Sequence, residues 1–397
     1  MDYHFNQTLL EIPPSAALAV SEKAKKMKAD GIDIITLATG EPDFDTPAQA
    51  RIAGIEGIAC GHTHYGSAAG LPALRQRIAR KLREENNIPC AAENIIMAPG
   101  GKFAIYETVR ALVTPGAGEE IMILNPAWVS YDPIVTASGG VPVNVELSFE
   151  DNYRITRETL ESHVTENTRA VIVNYPNNPT GCILSQEEAE TLADFALDHD
   201  LLLIADEIYE RIVFDGAKSV SLGSIQRVED RVITINGFSK STAMTGWRLG
   251  YVCAPLPVIK MISLLSQHAI SCLSQFSMEA ALTALDCEQD IKAMTASYLH
   301  RRNFFVEGLN AIPGVTCHVP QGAFYAWAKV DLDGRNSFEI ADYLLDEARV
   351  AVVPGDSYGL GGDRCIRMSF ATAEEDLREA LSRMNAAIRK INGGNQK

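Results

Sequence analysis

Between residues 94 and 254, short apolar runs rich in β-branched residues alternate with amphipathic stretches, and this alternation limits the possible folds more than any other feature of the chain. The runs lie at 95–97, 121–124, 170–174, 201–206, 232–236 and 249–253. They are apolar at successive positions rather than every second one, the pattern of parallel strands covered on both faces by helices. Ser185 and Glu188 form a capping box that opens a helix running toward His199, so the stretch from 170 to 206 reads as one βαβ unit. The expected fold is therefore α/β, a large domain with a mainly parallel sheet flanked by helices.

The rest of the chain has a different rhythm. A long helical stretch is expected over 257–311, then shorter strands over 322–330, 350–353 and 365–370 with helices around 338–348 and 374–391, which make a smaller α+β domain. Ser15 and Gly31 bracket an amphipathic helix near the start, a strand over 32–39 follows, and Thr46-Pro47 to Gly61 brackets a second helix. The expected division is a large domain over 46–300 and a small one made of 1–45 with 301–397.

Bulk properties narrow the classes of function. The 397 residues are 46% apolar, enough for a large core. Against 51 acidic residues stand 35 Lys and Arg, a formal charge of −16 that disfavours nucleic acid and anionic membranes as partners. No apolar run is long enough to span a bilayer and the first residues lack the pattern of a leader, so a cytoplasmic protein is expected. The eight cysteines form no CxxC or Cys/His cluster, and His62 and His64 read as surface residues; neither a disulfide scaffold nor a metal is expected.

Chemistry concentrates at the strand ends. Lys240 follows the run at 232–236 through a turn at Asn236-Gly237, which puts its amine at the edge of the sheet where open α/β folds bind ligands. Phe238, Met244 and Trp247 would partly desolvate that amine and lower its pKa, and a neutral amine can form a Schiff base with an aldehyde. Arg248 offers a planar fork for a phosphate. The run at 201–206 ends in Asp206, with Tyr209 three residues on. A carboxylate there either caps a following helix or faces a cation. Gly100-Gly101-Lys102 sits between a strand and a helix, the arrangement that exposes amides to an anion, but its spacing is neither that of a dinucleotide fold nor that of a P-loop.

These segments occur in order with Asn-Pro-Thr-Gly at 178–181, Gly-Glu-Pro-Asp-Phe at 40–44, Tyr65, Pro126-Ala127-Trp128 and Arg367. The set resembles the class I aminotransferases of the fold-type I pyridoxal-phosphate enzymes, in particular the prokaryotic aspartate aminotransferase-like subgroup, over nearly the whole chain. The resemblance implies that Lys240 carries the cofactor and moves protons, that Asp206 pairs with its ring nitrogen, and that Tyr209 and Asn178 donate to its phenolic oxygen. It implies that Trp128 lies over the ring, that Gly100, Gly101, Lys102, Ser239 and Arg248 surround the phosphate, and that Tyr65 reaches the phosphate of a neighbouring subunit in a homodimer. Gly40, Trp128, Asn178 and Arg367 would hold the substrate, an amino acid or a 2-oxo acid.

Some bland readings stand beside these. Trp128 fits an ordinary core position, Arg367 an exposed edge strand, Gly40 a need for backbone freedom, and Lys102 either a distal substrate carboxylate or the phosphate alone. The sequence departs from the resemblance at Gly237, where some relatives have a phosphate-binding serine, at 12–15, and at 266–277 with His268 and Cys272. The implied activity is transfer of an α-amino group from aspartate or glutamate to a 2-oxo acid such as 2-oxoglutarate, with aromatic or other neutral amino acids, or β-elimination, as alternatives.

Overall fold

The computed structural model describes residues 3–14 and 16–394. Its strands, in chain order, are β1 (Ile35–Thr36), β2 (Ile95–Ala98), β3 (Glu120–Asn125), β4 (Val141–Glu146), β5 (Thr168–Asn174), β6 (Leu202–Asp206), β7 (Val232–Gly237), β8 (Gly250–Cys253), β9 (Val315–Cys317), β10 (Tyr325–Val330), β11 (Val350–Ala351), β12 (Val353–Pro354) and β13 (Cys365–Ser369). Seven of them form one sheet in the order β2-β8-β7-β6-β5-β3-β4. All its neighbouring pairs are parallel except those of β8, which runs against both β2 and β7. All six strand runs expected in this region are found. The strand β4 was not anticipated, because its sequence Val-Pro-Val-Asn-Val-Glu lies at an edge with only Val145 buried and its apolar signal is diluted.

The helices cover both faces of this sheet. One apolar layer joins Ala104, Ile105 and Val109 of the helix Gly101–Leu112 to the strand residues Ile96, Ile123, Ile172, Ile204 and Ile235. The opposite layer joins Leu192, Ala193 and Phe195 of the helix Gln186–Asp198 to Met122, Val171 and Leu203. That helix opens with the expected capping box, in which the Glu188 amide donates to Ser185 Oγ and the Ser185 amide to Glu188 Oε2.

Three expectations change on inspection. The strand expected over 32–39 shortens to β1, paired in parallel with β11, because the chain then turns into the cleft. The helical stretch 257–311 divides into Leu256–Ala269, Gln275–Ala284 and Glu288–Asn310, broken where Ser271 takes a φ of 69°. The helix near the start is Ala16–Ala29; its expected cap Ser15 lies outside the described residues.

Beyond the large sheet, β12-β13-β10-β9 form an antiparallel sheet. The residue number 300 expected as a boundary falls inside the helix Glu288–Asn310, whose Met294, Tyr298, Phe305 and Leu309 pack with Ile366, Met368 and Phe370 in the core of this second sheet. Leu37 and Tyr209 belong to the same core, so the start of the chain and the loop after β6 meet there. Among the described residues, no helix is long and apolar enough to cross a membrane.

Candidate active site

The carboxyl ends of β5, β6 and β7 open into a cleft of about 450 Å³. Two adjacent parallel strands fix its floor: Asn174 of β5 is in register with Asp206 of β6. The Asn174 side chain donates to the Asp206 carbonyl at 2.9 Å and accepts the Asn178 amide at 3.0 Å, which ties the Asn-Pro-Thr-Gly turn to the strand end.

Asp206 is buried and no helix follows it, so the capping reading does not hold. One carboxylate oxygen accepts the Ile208 amide at 3.2 Å and the other accepts the Tyr131 hydroxyl at 2.7 Å. Burial pushes its carboxyl up to about 6 in spite of these bonds and of the nearby Lys240 amine. A carboxylate held in this way favours a cationic partner, which would restore its ionised form.

Lys240 is half-buried, and its amine donates to the Gly40 carbonyl at 2.5 Å. Burial, with the Arg367 and Arg248 charges, lowers its pKa to about 8 against the pull of Glu41 and Asp206. The loop carrying it is held at both ends. Thr242 donates to the Phe238 carbonyl at 2.7 Å, and Trp247 donates to Thr46, which in turn donates to the Ala243 carbonyl. Thr245 donates to Glu41, fastening the loop to the chain's early segment. Gly237 has a steric reason: a Cβ there would lie 2.8 Å from the Leu249 carbonyl oxygen across the β7–β8 pair. Ser239 is buried and lines the cleft.

An anion cradle lies beside the amine. Gly100 caps the helix Gly101–Leu112 with φ of 85°, and a Cβ on it would lie 2.6 Å from Arg248 Nη2. Gly250 passes so close that its own Cβ would meet Gly101 N at 2.6 Å. The first-turn amides of a helix have no intrahelical partner, and here they open beside the exposed Arg248 guanidinium, itself held by the carbonyls of Thr245 and Pro99. Lys102 stands at the exposed rim with its ammonium 4.9 Å from the Trp128 ring centre. Loss of hydration and the Arg248 charge lower its pKa. Trp128 is half-buried and lines the cleft while packing against the core beneath it, resting edge-on against Tyr131.

Arg367 comes from β13, an interior strand of the second sheet, and is only 4% exposed, which removes the edge-strand reading. Its Nη2 donates to the Ala38 carbonyl at 2.5 Å and its Nη1 to Asn178 Oδ1 at 3.4 Å, while its buried Nε has no partner. The ring of Tyr325 lies 4.4 Å from the guanidinium, and the Tyr325 hydroxyl shares a 2.7 Å hydrogen bond with Tyr209. Gly40 is confined by the same pair, since a Cβ on it would lie 2.7 Å from the Tyr325 hydroxyl.

The cleft thus brings together Gly40, Gly101, Lys102, Trp128, Asn178, Asp206, Tyr209, Ser239, Lys240, Arg248 and Arg367, with Gly100 shaping its edge. Tyr65 is 88% exposed and is not part of the cleft wall of its own chain, and neither is the segment 266–277. Tyr131, Tyr325, Thr245, Glu41, Leu18 and Ser21 also line the cleft and were given no role from sequence. Tyr131, three residues after Trp128, had a local signal; Tyr325 had none, because its partner Tyr209 is 116 positions away.

The chain is similar to known proteins over nearly its full length. The family described as aminotransferase class I and II matches residues 32–384. The chain is 40% identical to the aspartate aminotransferase of Musicola paradisiaca over 94% of each chain, and 39% identical to aromatic-amino-acid aminotransferase 2 of Thermococcus litoralis over 91% of this chain and 94% of that one. Among solved structures, the Thermus thermophilus aspartate aminotransferase with maleate superposes with a TM-score of 0.92 at 36% identity, covering 97% of this chain and all of that one. Fold, ordered motifs and full-length similarity lead to one conclusion: the chain belongs to the class I and II aminotransferases.

Proposed function

We propose that this aminotransferase moves the α-amino group of aspartate or glutamate to a 2-oxo acid such as 2-oxoglutarate by a ping-pong double displacement with pyridoxal phosphate. The carrying observation is the convergence, in one cleft, of an amine whose pKa is lowered to about 8, a buried carboxylate and a buried guanidinium with an unused donor.

The residues present fit the family's cofactor. Lys240 would hold its aldehyde carbon, Asp206 its ring nitrogen, and Tyr209 and Asn178 its phenolic oxygen. The Gly100–Gly101–Lys102 turn, Ser239 and Arg248 would hold its phosphate, and Trp128 would cover its ring. When bound, pyridoxal phosphate supplies the electrophile for an amine and a ring that accepts the electron pair released at Cα.

The chain's own groups supply the rest. Lys240 would take the proton from Cα and return it elsewhere. Asp206 keeps a positive charge on the ring side of the cleft, and Tyr131 holds that carboxylate in place. Arg367, with one donor already on the Ala38 carbonyl, offers its remaining N–H groups to the α-carboxylate.

Lys102 at the rim supports a second, distal carboxylate on the substrate, as does the dicarboxylate maleate named with the Thermus structure. The aromatic reading draws on Leu18, Ile105 and Trp128 in the lining and on the Thermococcus relative. A homodimer with shared sites belongs to this proposal. It rests on the exposure of Tyr65 and of Ile52, Ile55 and Ile58 along the helix Ala48–Ala59. So does the division into bodies of 46–300 and of 1–45 with 301–397, and a cytoplasmic location.

Stopped-flow absorbance of the holoenzyme mixed singly with amino acids tests the reading. Aspartate and glutamate are expected to convert the cofactor to its amine form within one turnover and to release their oxo acids. Conversion by aromatic amino acids alone moves the assignment to the second reading, and release of ammonia with pyruvate moves it to β-elimination.

A further inference from the structure

Tyr325 is only 1% exposed, yet it lines the cleft. The residues before it deliver it there. The Gln321 and Gly322 amides both donate to the Gly181 carbonyl at 2.9 Å, the Ala323 amide donates to the Ile212 carbonyl at 2.9 Å, and the Phe214 amide donates to the Gln321 carbonyl at 2.9 Å. Gly181 closes the turn that carries Asn178, and Ile212 and Phe214 follow Tyr209 in the chain. Gly322 is required at this crossing, since a Cβ on it would lie 2.7 Å from Pro176 Cβ and 2.9 Å from the Ile212 carbonyl oxygen. The start of β10 is therefore fastened to the two segments that supply Asn178 and Tyr209, although β10 itself belongs to the second sheet.

β10 pairs with β13 so that Trp327 is opposite Arg367 and Tyr325 opposite Ser369, which sets Tyr325 diagonal to Arg367. The guanidinium lies 4.4 Å from the centre of the Tyr325 ring, and the hydroxyl of that ring lies 2.7 Å from the Tyr209 hydroxyl. Each hydroxyl carries one proton, so one proton of the two occupies the shared bond. Among the described residues, Tyr209 is the one hydrogen-bond partner of the Tyr325 hydroxyl. If Tyr209 donated to Tyr325, it would have no proton left to give to a ligand. If Tyr325 donates, the Tyr209 proton is free to point into the cleft. Arg367 favours the second arrangement, because a cation against a phenol ring makes its O–H the more acidic and the better donor. The Lys240 ammonium is farther from the Tyr209 ring, at 5.8 Å.

We propose that Tyr325 is a positioning residue, whose hydroxyl donates to Tyr209 and so reserves the Tyr209 proton for the phenolic oxygen of the cofactor. The inference rests on the proposed placement of Tyr209 at that oxygen. A hydroxyl that accepts one hydrogen bond donates a stronger one, by about 10–30% per bond. Tyr325 thus acts through Tyr209 alone, and the segment that delivers it ties the substrate side of the cleft to the cofactor side.

The test is a pH titration of the absorbance of the lysine-bound cofactor in the resting holoenzyme, a readout that needs no turnover. A donor to the phenolic oxygen favours its anion and lowers the pH at which the Lys240 nitrogen gives up its proton. Tyr209→Phe should therefore raise the midpoint by about one pH unit, and Tyr325→Phe, which keeps the ring against Arg367, by about 0.3 unit. In the Tyr209→Phe background, Tyr325→Phe should add no further shift. KM for the amino donor should stay within about twofold in Tyr325→Phe. An unmoved midpoint with a lowered melting temperature in Tyr325→Phe would make the hydroxyl a packing group and overturn the proposal. So would a KM raised about tenfold with the midpoint unmoved, which places the hydroxyl on the substrate. An equal shift in both backgrounds also overturns it, because Tyr325 would then act without Tyr209. An unmoved midpoint in Tyr209→Phe defeats the placement of Tyr209 itself, and the role of Tyr325 falls with it.

Discussion

The two walls of the cleft are built in opposite ways. One wall comes from strand ends of the large sheet, where Asp206 closes a strand and Asn178, Lys240 and Gly101 each follow one within a few residues. The other comes from segments hundreds of positions apart: Leu18, Gly40 and Glu41 near the start, Tyr325 and Arg367 near the end. The first wall holds its groups in a hydrogen-bonded sheet that fixes them before any ligand arrives. The second holds its groups on β13 and on an early segment that touches the first wall through single bonds, such as Lys240 to Gly40 and Thr245 to Glu41. The groups proposed to hold the cofactor sit mainly on the first wall, whereas Gly40 and Arg367, proposed to meet the substrate, sit on the other.

Replacing a group on the first wall should therefore remove chemistry. Lys240→Ala is expected to abolish the absorbance of the lysine-bound cofactor and to lower kcat by at least about 10⁴-fold. Full turnover in that variant would remove the lysine from the mechanism. On the opposite wall, Arg367→Ala should raise KM for the amino acid by about 10²–10³-fold while leaving cofactor affinity within a few-fold, because a buried charge loses its partner. Comparable loss of both would place Arg367 in the fold rather than at the substrate.

Smaller effects probe how each wall is held. Tyr131→Phe takes away one charge-assisted hydrogen bond of Asp206, and a fall in kcat of about 10-fold is expected with KM little changed. Steady-state kinetics would expose a purely packing role by leaving kcat alone and lowering only the melting midpoint. The lysine amine gives a pH signature as well. With a pKa of about 8 it is protonated below that value and free above it, so the rate at which apoenzyme recaptures pyridoxal phosphate should rise about tenfold per pH unit up to about pH 8 and then level off. A rate that continues to climb toward pH 10.5 would mean that the cleft does not desolvate the amine.

The first wall was legible in the sequence because its information is local. Each apolar run named a strand, the residue after the run named the group at its end, and the capping box at Ser185 gave the return helix. Even the departure at Gly237 has a local cause in the closeness of β7 and β8. Legibility failed where contacts skip along the chain. The strand expected over 32–39 became two paired residues because its backbone partner is β11, and the hydroxyl pair of Tyr209 and Tyr325 has no trace in either neighbourhood.

What the sequence determined by itself was the βα alternation, the order of motifs and the identity of the groups at the strand ends, since periodicity and turn chemistry act over a few residues. Tertiary structure alone decided that Arg367 is an interior residue with an unused donor, that Tyr131 and not a helix answers Asp206, and that Trp128 faces the cleft. The reason is physical: burial and the field of distant charges set the pKa of Lys240 and the partners of Asp206, and both depend on which remote segments the packed core brings together.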